Sequence, residues 1–116
     1  MAFEKQATLK GAKYLYTLTP TVKKFTLKDN GFVETKSGNF QLIRPIEATP
    51  QSSEGFRLKI TVSSDLKLFK MSITAQDGLR SVDLFKTDKH QLNQEKFYFL
   101  MDGMIDRGVF KKKEIV

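Results

Sequence analysis

The chain lacks several residue types on which common enzyme and scaffold chemistries depend. It has 116 residues, with no cysteine, no tryptophan and a single histidine, His90. Without cysteine it cannot form disulfides, thiolate metal sites or a cysteine nucleophile. One histidine with no carboxylate cluster spaced around it does not make a zinc site. We therefore predict no metal, no cofactor and no assignable catalytic residue, and the ligand-binding residues are unknown from sequence.

Long apolar runs are absent as well. No segment approaches the roughly 20 apolar residues of a membrane-spanning helix. The first ten residues, MAFEKQATLK, lack the apolar centre of a signal peptide. These absences predict a cytoplasmic protein with no membrane partner. Glycine-rich phosphate loops and dinucleotide fingerprints are also missing. A small enzyme is therefore one of three functional hypotheses considered below, and no residue supports it.

Enough apolar material remains for a core. Hydrophobic residues make up 40% of the chain, including ten Phe and three Tyr. A chain of this length buries roughly two-thirds of its unfolded surface. We predict one domain over residues 1–116, with an oligomeric state that the sequence leaves open.

The net charge of +7 is concentrated at the two ends. Residues 1–28 carry +5 and residues 107–114 carry +3, whereas the segment between them carries −1. Basic ends can bind nucleic acid by counterion release. Solubility is the simpler explanation for scattered lysines. A nucleic-acid-binding module is the alternative hypothesis, and it predicts weaker binding, without unfolding, when the tail from Lys111 onward is removed.

Alternation of apolar and polar residues predicts an antiparallel sheet in the middle of the chain. Residues 56–63 and 66–75 alternate with a period of two and are predicted neighbours across Ser64-Asp65. Residues 31–47 predict a hairpin around Ser37-Gly38-Asn39. Further predicted features are strands at 12–19 and 81–86, a loop at 47–55 and a turn at Asp77-Gly78. Pro45 predicts that the second strand of the hairpin either ends there or lies at a sheet edge.

Two helices are predicted. A short helix over 20–29 would have Thr19 as its N-cap and Pro20 at its first position, and Asn30-Gly31 would end it. The main helix, over about 88–107, would start at Asp88. The basic run Lys111–Lys113 would lie just beyond its C-terminal end, where cations are favoured.

The main helix presents two apolar stripes at 100° per residue. The main stripe comprises Phe97, Leu100, Met101, Met104, Ile105 and Gly108, and the second comprises Leu92, Phe99, Gly103 and, if the helix lasts that far, Phe110. Two interpretations remain open. The helix lies between two β layers that bury both stripes, or the second stripe docks a partner. Gly103 and Gly108 would permit close approach of another backbone, and Gly108 could instead end the helix.

Three groups of polar residues are weak site candidates. His90 is expected to be a solvated residue at the helix start. Asp102 and Asp106 lie one helical turn apart and could bind a cation, but such a pair is more often a solvated face. Arg57 and Lys59 alternate on one strand face, which faintly suggests a nucleic-acid surface. An RNA-binding sheet needs stacking aromatics on that same face, whereas Phe56 alternates away from it.

Three sequence blocks carry a family resemblance. They are KKFTLKDNGFVETKSGNFQLIRPIEATPQ (23–51), LKITVSSDL (58–66) and FYFLMDGMIDRGVF (97–110). Together they resemble a small uncharacterised family of lactic-acid and related Gram-positive bacteria, catalogued as a domain of unknown function. The resemblance implies an α+β fold in which two mostly antiparallel β-sheets pack against one main C-terminal helix.

The same resemblance implies a role in amino-acid metabolism and supplies no catalytic residues. The resulting hypothesis is an accessory or binding protein. Its partner would be a small metabolite or a metabolic enzyme, for example a sulfur-transfer enzyme that handles cysteine sulfur. Nucleic acid is the less favoured partner.

Overall fold

Seven strands and two helices make up the described part of the chain. The computed structural model describes residues 3–46, 56–75, 80–86 and 90–115. In chain order the elements are β1 (Gln6–Ala7), β2 (Tyr14–Leu18), α1 (Lys24–Asp29), β3 (Val33–Glu34), β4 (Phe40–Ile46), β5 (Phe56–Val62), β6 (Phe69–Thr74), α2 (Gln91–Asp106) and β7 (Phe110–Glu114). The strands form a three-stranded sheet of order β1-β2-β7 and a four-stranded sheet of order β3-β4-β5-β6, so the predicted α+β class with two antiparallel sheets and one main helix is confirmed.

The four-stranded sheet is an antiparallel meander, as the alternating sequence predicted. β4 pairs with β5 from Phe40↔Val62 to Ile46↔Phe56, and β5 pairs with β6 from Val62↔Phe69 to Arg57↔Thr74. The β5–β6 connection is longer than the predicted two-residue turn. The Ser63 N–H donates to the Leu68 carbonyl at 2.8 Å, and Leu66 takes a positive φ of 61°. Thr61 is buried despite its polar-face position, because β5 lies between two neighbouring strands.

The predicted hairpin before it is confirmed. β3 pairs with β4 through Val33↔Gln41 and Glu34↔Phe40. Gly38 closes the turn with φ 87°, a conformation that glycine adopts without a steric penalty. Pro45 pairs with Arg57 on one side of β4, and β3 does not reach it on the other. Among the described residues, Pro45 therefore lies at a sheet edge, where its missing N–H leaves no ladder partner unsatisfied.

The three-stranded sheet joins the two ends of the chain. β2 confirms the strand predicted at 12–19, and it pairs with β7 from Tyr14↔Glu114 to Leu18↔Phe110. Lys111–Lys113 lie just beyond the C-terminal end of the helix, as predicted, but they are not a tail, because they form the middle of β7. Local sequence did not reveal this strand, since three consecutive lysines do not alternate. Removing residues from Lys111 onward would therefore remove a paired strand.

Helix α1 is shorter than predicted. It begins after Lys23, which has no side-chain cap, and the Thr19 hydroxyl donates to the Gly108 carbonyl at 2.7 Å. The assignment of Thr19 as N-cap is therefore wrong, because its hydroxyl is used in a contact with a distant segment. The helix ends at Asn30 and Gly31, as predicted, with Gly31 at φ 92°.

Helix α2 runs from Gln91 to Asp106, inside the predicted span of 88–107. Gly108, at φ 81°, follows the C-cap, which confirms the interpretation that it ends the helix. The buried helix residues are Asn93, Phe97, Met101 and Met104, and Leu100 and Ile105 pack partly buried against the same core. The main stripe therefore faces the core, and α2 contacts both β7 and β4.

The second stripe is not covered within the domain. Phe99 is 73% exposed and Leu92 is 57% exposed. The Gly103 α-carbon is approached by the Arg107 guanidinium, where an added Cβ would lie 3.3 Å from its nitrogens, and not by a sheet backbone. Phe110 is buried because it lies on β7 and not on the helix. Helix α2 contacts both sheets through its main stripe, but the interpretation that two β layers bury both stripes is wrong.

The strand predicted at 81–86 is not formed in the described residues. Ser81 makes a single β-bridge to Thr74, and the chain turns at 84–86. The predicted loop at 47–55, the Asp77-Gly78 turn and the Asp88 N-cap lie outside the described residues. In the part of the chain that the structure describes, neither helix combines the length and apolar character needed to cross a membrane.

Candidate functional site

The exposed edge of β6 carries an opening between two short contacts. At one end Glu4 and Phe69 exchange backbone hydrogen bonds of 2.9 Å. At the other end the Val82 N–H donates to the Ile73 carbonyl at 2.9 Å. Within the described ranges, no strand pairs with the outer edge of β6 at Met71, midway between these contacts. Two segments from elsewhere in the chain stand beside this gap and turn it into a cleft.

We name this opening the edge cleft. Its volume is about 350 Å³. It is bounded by residues from the end of β1, from β6 and from the segment after the Ser81 bridge: Thr8, Leu9, Lys10, Met71, Ser72, Ile73, Ser81, Val82, Asp83 and Leu84. The cleft therefore has an apolar floor continuous with the core, because its buried apolar members Leu9, Met71, Ile73 and Leu84 belong to the core cluster.

A glycine turn places one wall of the edge cleft. Gly11 follows Lys10 with φ 86°, and a Cβ at Gly11 would lie only 2.8 Å from the Phe85 Cβ. The turn can therefore pack onto Phe85 only because residue 11 has no side chain. The Thr8 hydroxyl donates to the Tyr14 carbonyl at 2.5 Å and ties the other end of the turn to β2.

The rim of the edge cleft carries one group of each charge. Lys10 and Asp83 both line it and both are exposed, so each can approach a ligand without a large desolvation cost. An apolar floor beneath a few polar groups is the usual composition of a small-molecule site. Sequence reasoning did not find these residues, because they come from segments about 70 residues apart. The only local signal was the Lys10-Gly11 turn, which by itself indicates no ligand.

His90 lies at the start of α2, as expected, but it is half-buried and not fully solvated. Its ring meets the Phe56 ring edge-on, with centroids 4.9 Å apart. It does not line the edge cleft. Among the described residues, no three His, Asp or Glu side chains are close enough to hold a metal ion.

Asp102 and Asp106 do not form a shared site. Asp102 accepts a hydrogen bond from the Lys112 ammonium at 2.8 Å, which raises the pKa of Lys112. The Arg107 guanidinium donates a hydrogen bond to the Asn30 side-chain oxygen. The acidic pair therefore lies on the surface of the helix, and Asp102 forms an ion pair with Lys112 of β7.

Arg57 and Lys59 lie on the outer face of the four-stranded sheet. Their register partners on β6 are Thr74 and Ser72. Phe56 points away from this face and packs against His90, as the alternation predicted. The strand positions on this face carry no aromatic side chain in the described residues, so these strands do not supply the stacking groups of an RNA-binding sheet.

Among the described residues, one buried side-chain polar atom has no hydrogen-bond partner. The Tyr16 hydroxyl makes no hydrogen bond, although the residue is fully buried. Its ring meets the Phe97 ring edge-on at 6.0 Å. Burial raises the pKa of Tyr16 well above its ordinary value, with the nearby Tyr98, Asp102 and Tyr14 adding to the shift. This tyrosine lies in the core beneath α2 and not in the edge cleft.

Comparison with known proteins supports one family. Residues 1–111 match the model of the DUF1831 family, which is described as "Putative amino acid metabolism". The crystal structure of a DUF1831 family protein from Lactobacillus plantarum is similar over 97% of this chain and 99% of that chain, with 36% sequence identity and a TM-score of 0.86. No curated protein matches the chain significantly.

Proposed function

The chain belongs to the DUF1831 family, and we propose that it is a cytoplasmic binding protein of amino-acid metabolism whose edge cleft holds a small zwitterionic metabolite. The family description supports the pathway only in general terms. The edge cleft supports the ligand class. The observation that carries the proposal is the pair of opposite charges, Lys10 and Asp83, above an apolar floor.

The chemistry of a free amino acid suits this arrangement. Its ammonium group would pair with the Asp83 carboxylate, and its carboxylate would pair with the Lys10 ammonium. Its side chain would contact the floor formed by Met71 and Leu84. The volume of about 350 Å³ lies within the roughly 300–1,000 Å³ of small-molecule sites. Charge-assisted hydrogen bonds are about twice as strong as neutral ones, so two such pairs would select a zwitterion.

The residues that line the edge cleft favour a binding protein over an enzyme. Asp83 is the one carboxylate among the residues that line the edge cleft, and no histidine lines it. A hydroxyl nucleophile needs an adjacent base. The Thr8 hydroxyl instead donates a hydrogen bond to the Tyr14 backbone carbonyl. No histidine lines the edge cleft beside Ser72 or Ser81 to act as a base. The proposal is therefore of a carrier or an accessory protein.

A ligand screen followed by charge variants tests the proposal. Thermal shift with each of the twenty common amino acids, cysteine and methionine included, would identify a ligand, and calorimetry would measure its affinity. Asp83→Asn and Lys10→Gln should each weaken binding at least about tenfold, the equivalent of one charged hydrogen bond. The matched controls are Asp29→Asn on α1 and Lys113→Gln on β7, which lie outside the lining.

Three results would contradict the proposal or part of it. If no amino acid bound, or if Asp83→Asn and its control Asp29→Asn behaved alike, the edge cleft would not be the site. Turnover of the bound amino acid by the purified protein alone would overturn the non-enzymatic part. A sulfur-related role would show as a preference for cysteine or methionine over serine and leucine.

A partner enzyme is the second form of this proposal. The exposed side chains of Leu92 and Phe99, on one face of α2, favour it. We expect a tagged pull-down at physiological salt to recover an amino-acid or sulfur-transfer enzyme, and the double variant Leu92→Ser/Phe99→Ser to lose it. Half of the extract would be treated with nuclease. Recovery of ribosomal or nucleic-acid proteins only in the untreated half would instead support the nucleic-acid alternative.

A further inference from the structure

The outer face of the four-stranded sheet sets cations beside hydroxyl groups. The β5–β6 register puts Lys59 opposite Ser72 and Thr61 opposite Lys70. These four side chains share one face, since residues two apart in a strand point the same way. The two lysines are diagonal neighbours, with α-carbons roughly 7–8 Å apart. Two ammonium groups therefore lie on one small area of sheet.

No described acid neutralises these two lysines. Neither Lys59 nor Lys70 forms an ion pair with a described carboxylate, whereas Lys112 on the other sheet pairs with Asp102. Both lysines are half-buried. The Lys70 ammonium lies 4.7 Å from the centroid of the Phe3 ring and makes a cation–π contact with it. The pair is thus prepared to accept a negative charge.

A separate depression lies between these side chains. Its volume is about 200 Å³, and it is lined by Lys59, Thr61, Lys70, Met71, Ser72 and Ser81. Two ammonium groups and three hydroxyls can all donate hydrogen bonds, which is the donor set that an oxyanion needs. This volume is several times the roughly 30 Å³ that one water molecule occupies in the liquid. It therefore has room for a tetrahedral oxyanion and part of the group that carries it.

We propose that this depression, the anion pocket, is a binding subsite for a phosphate-class oxyanion held between Lys59 and Lys70 and by the hydroxyls of Thr61, Ser72 and Ser81. The anion pocket and the edge cleft share Met71, Ser72 and Ser81, so they adjoin along β6. The anion has two possible sources. It is either free inorganic phosphate or the phosphate group of an amino-acid derivative that extends into the edge cleft; the second rests on the proposed function.

Calorimetry with inorganic phosphate at low ionic strength tests the subsite itself. We expect saturable binding with one site per chain. Lys59→Gln and Lys70→Gln should each weaken it at least tenfold, and Lys59→Arg should retain it because the charge remains. The matched control is Lys113→Gln, since Lys113 is an exposed lysine on the other sheet. Thermal unfolding of each variant would confirm that it is folded.

Two results would overturn the subsite. One is the absence of saturable phosphate binding by the unchanged protein. The other is an equal loss of affinity in Lys113→Gln and Lys59→Gln, which would reduce the interaction to net charge.

Comparison of O-phosphoserine with inorganic phosphate separates the two sources. If the edge cleft and the anion pocket hold one ligand, O-phosphoserine binds more tightly than phosphate, and Asp83→Asn weakens O-phosphoserine alone. Equal affinities with no effect of Asp83→Asn would assign free phosphate to the subsite and contradict the joined ligand. Failure of the zwitterion proposal is thus distinguishable, because phosphate binding and its dependence on Lys59 would persist.

Discussion

The two sheets are assembled from opposite kinds of chain segment. The four-stranded sheet is a meander in which each strand pairs with the next along the chain, from Val33 to Thr74. In the three-stranded sheet β1 pairs with β2, and β2, near the N-terminus, pairs with β7, near the C-terminus, so that Leu18 lies opposite Phe110. Pairing of sequence neighbours closes short loops, and pairing of chain ends closes a long one. The first sheet can therefore be recognised locally, and the second cannot.

Helix α2 is attached to the two sheets by different chemistry. The Asn93 side chain donates a buried hydrogen bond of 2.9 Å to the Ile46 carbonyl of the four-stranded sheet. Ring contacts join the helix to the three-stranded sheet, Phe97 with Tyr16 and Tyr98 with Tyr14. The edge cleft forms where residues near the start of the chain lie beside the edge of the meander. Local strand pairing therefore builds the sheet, and long-range contacts complete the site.

Removing the aromatic link would have the largest effect on stability. Phe97 is fully buried and contacts Tyr16, Phe85 and Tyr98. We expect Phe97→Ala to lower the free energy of unfolding by about 3–5 kcal/mol, because it removes one buried ring and leaves a cavity. Urea denaturation would measure this loss.

The matched control is Phe99→Ala, on the opposite side of the same helix. Phe99 is exposed, so its loss should change stability by less than about 0.5 kcal/mol. Equal losses at positions 97 and 99 would contradict the assignment of the two helix faces.

Removing the buried hydrogen bond would have an intermediate effect. Asn93→Ala should cost about 1–3 kcal/mol, since the Ile46 carbonyl would lose its partner in a buried position. Denaturant unfolding provides the measurement, and Gln91→Ala, at an exposed position of the same helix, is the control. A neutral Asn93→Ala would show that the link to the four-stranded sheet is not needed for stability.

Removing the unpartnered hydroxyl should stabilise the three-stranded sheet. We expect Tyr16→Phe to raise the free energy of unfolding by about 1 kcal/mol, because a buried hydroxyl without a hydrogen bond is unfavourable. The advantage should grow with pH. Burial raises the pKa of Tyr16 in the folded state, so above the ordinary value of 10.0 the unfolded chain loses this proton first and the folded protein loses stability.

Chemical denaturation at pH 8 and at pH values above 10 would test this dependence. At pH 8 the control is Tyr98→Phe, since the Tyr98 hydroxyl accepts a hydrogen bond from the Lys13 N–H. A Tyr16→Phe variant less stable than the unchanged protein at both pH values would contradict an unsatisfied hydroxyl.

Removing the surface ion pair should have the smallest effect. The Lys112 and Asp102 side chains are 34% and 51% exposed, and exposed pairs contribute about 0.2–1 kcal/mol. We expect Asp102→Asn to lower stability by less than about 1 kcal/mol, with the difference disappearing in high salt. Thermal unfolding at two salt concentrations would measure it. A larger, salt-independent loss would show that β7 is held mainly by this contact.

The sequence could predict the elements whose pattern lies within a few residues. Alternation at Phe56, Leu58 and Ile60 located β5, and the helical spacing of Phe97, Met101 and Met104 located the core face of α2. The family resemblance supplied the two-sheet arrangement. The sequence leaves the second stripe open between burial and exposure, because an exposed Phe99 and a buried Phe97 look alike in a sequence. Burial depends on what packs against the helix.

Residue patterns alone established the locally periodic strands, the main helix and the absence of cysteine chemistry. The pairing of β7 with β2, the edge cleft lined by Lys10 and Asp83, and the depression lined by Lys59 and Lys70 became apparent only in the folded chain. The difference lies in the range of the interactions. Side-chain periodicity is a property of neighbouring residues, whereas a site forms where the folded chain brings distant segments to one strand edge.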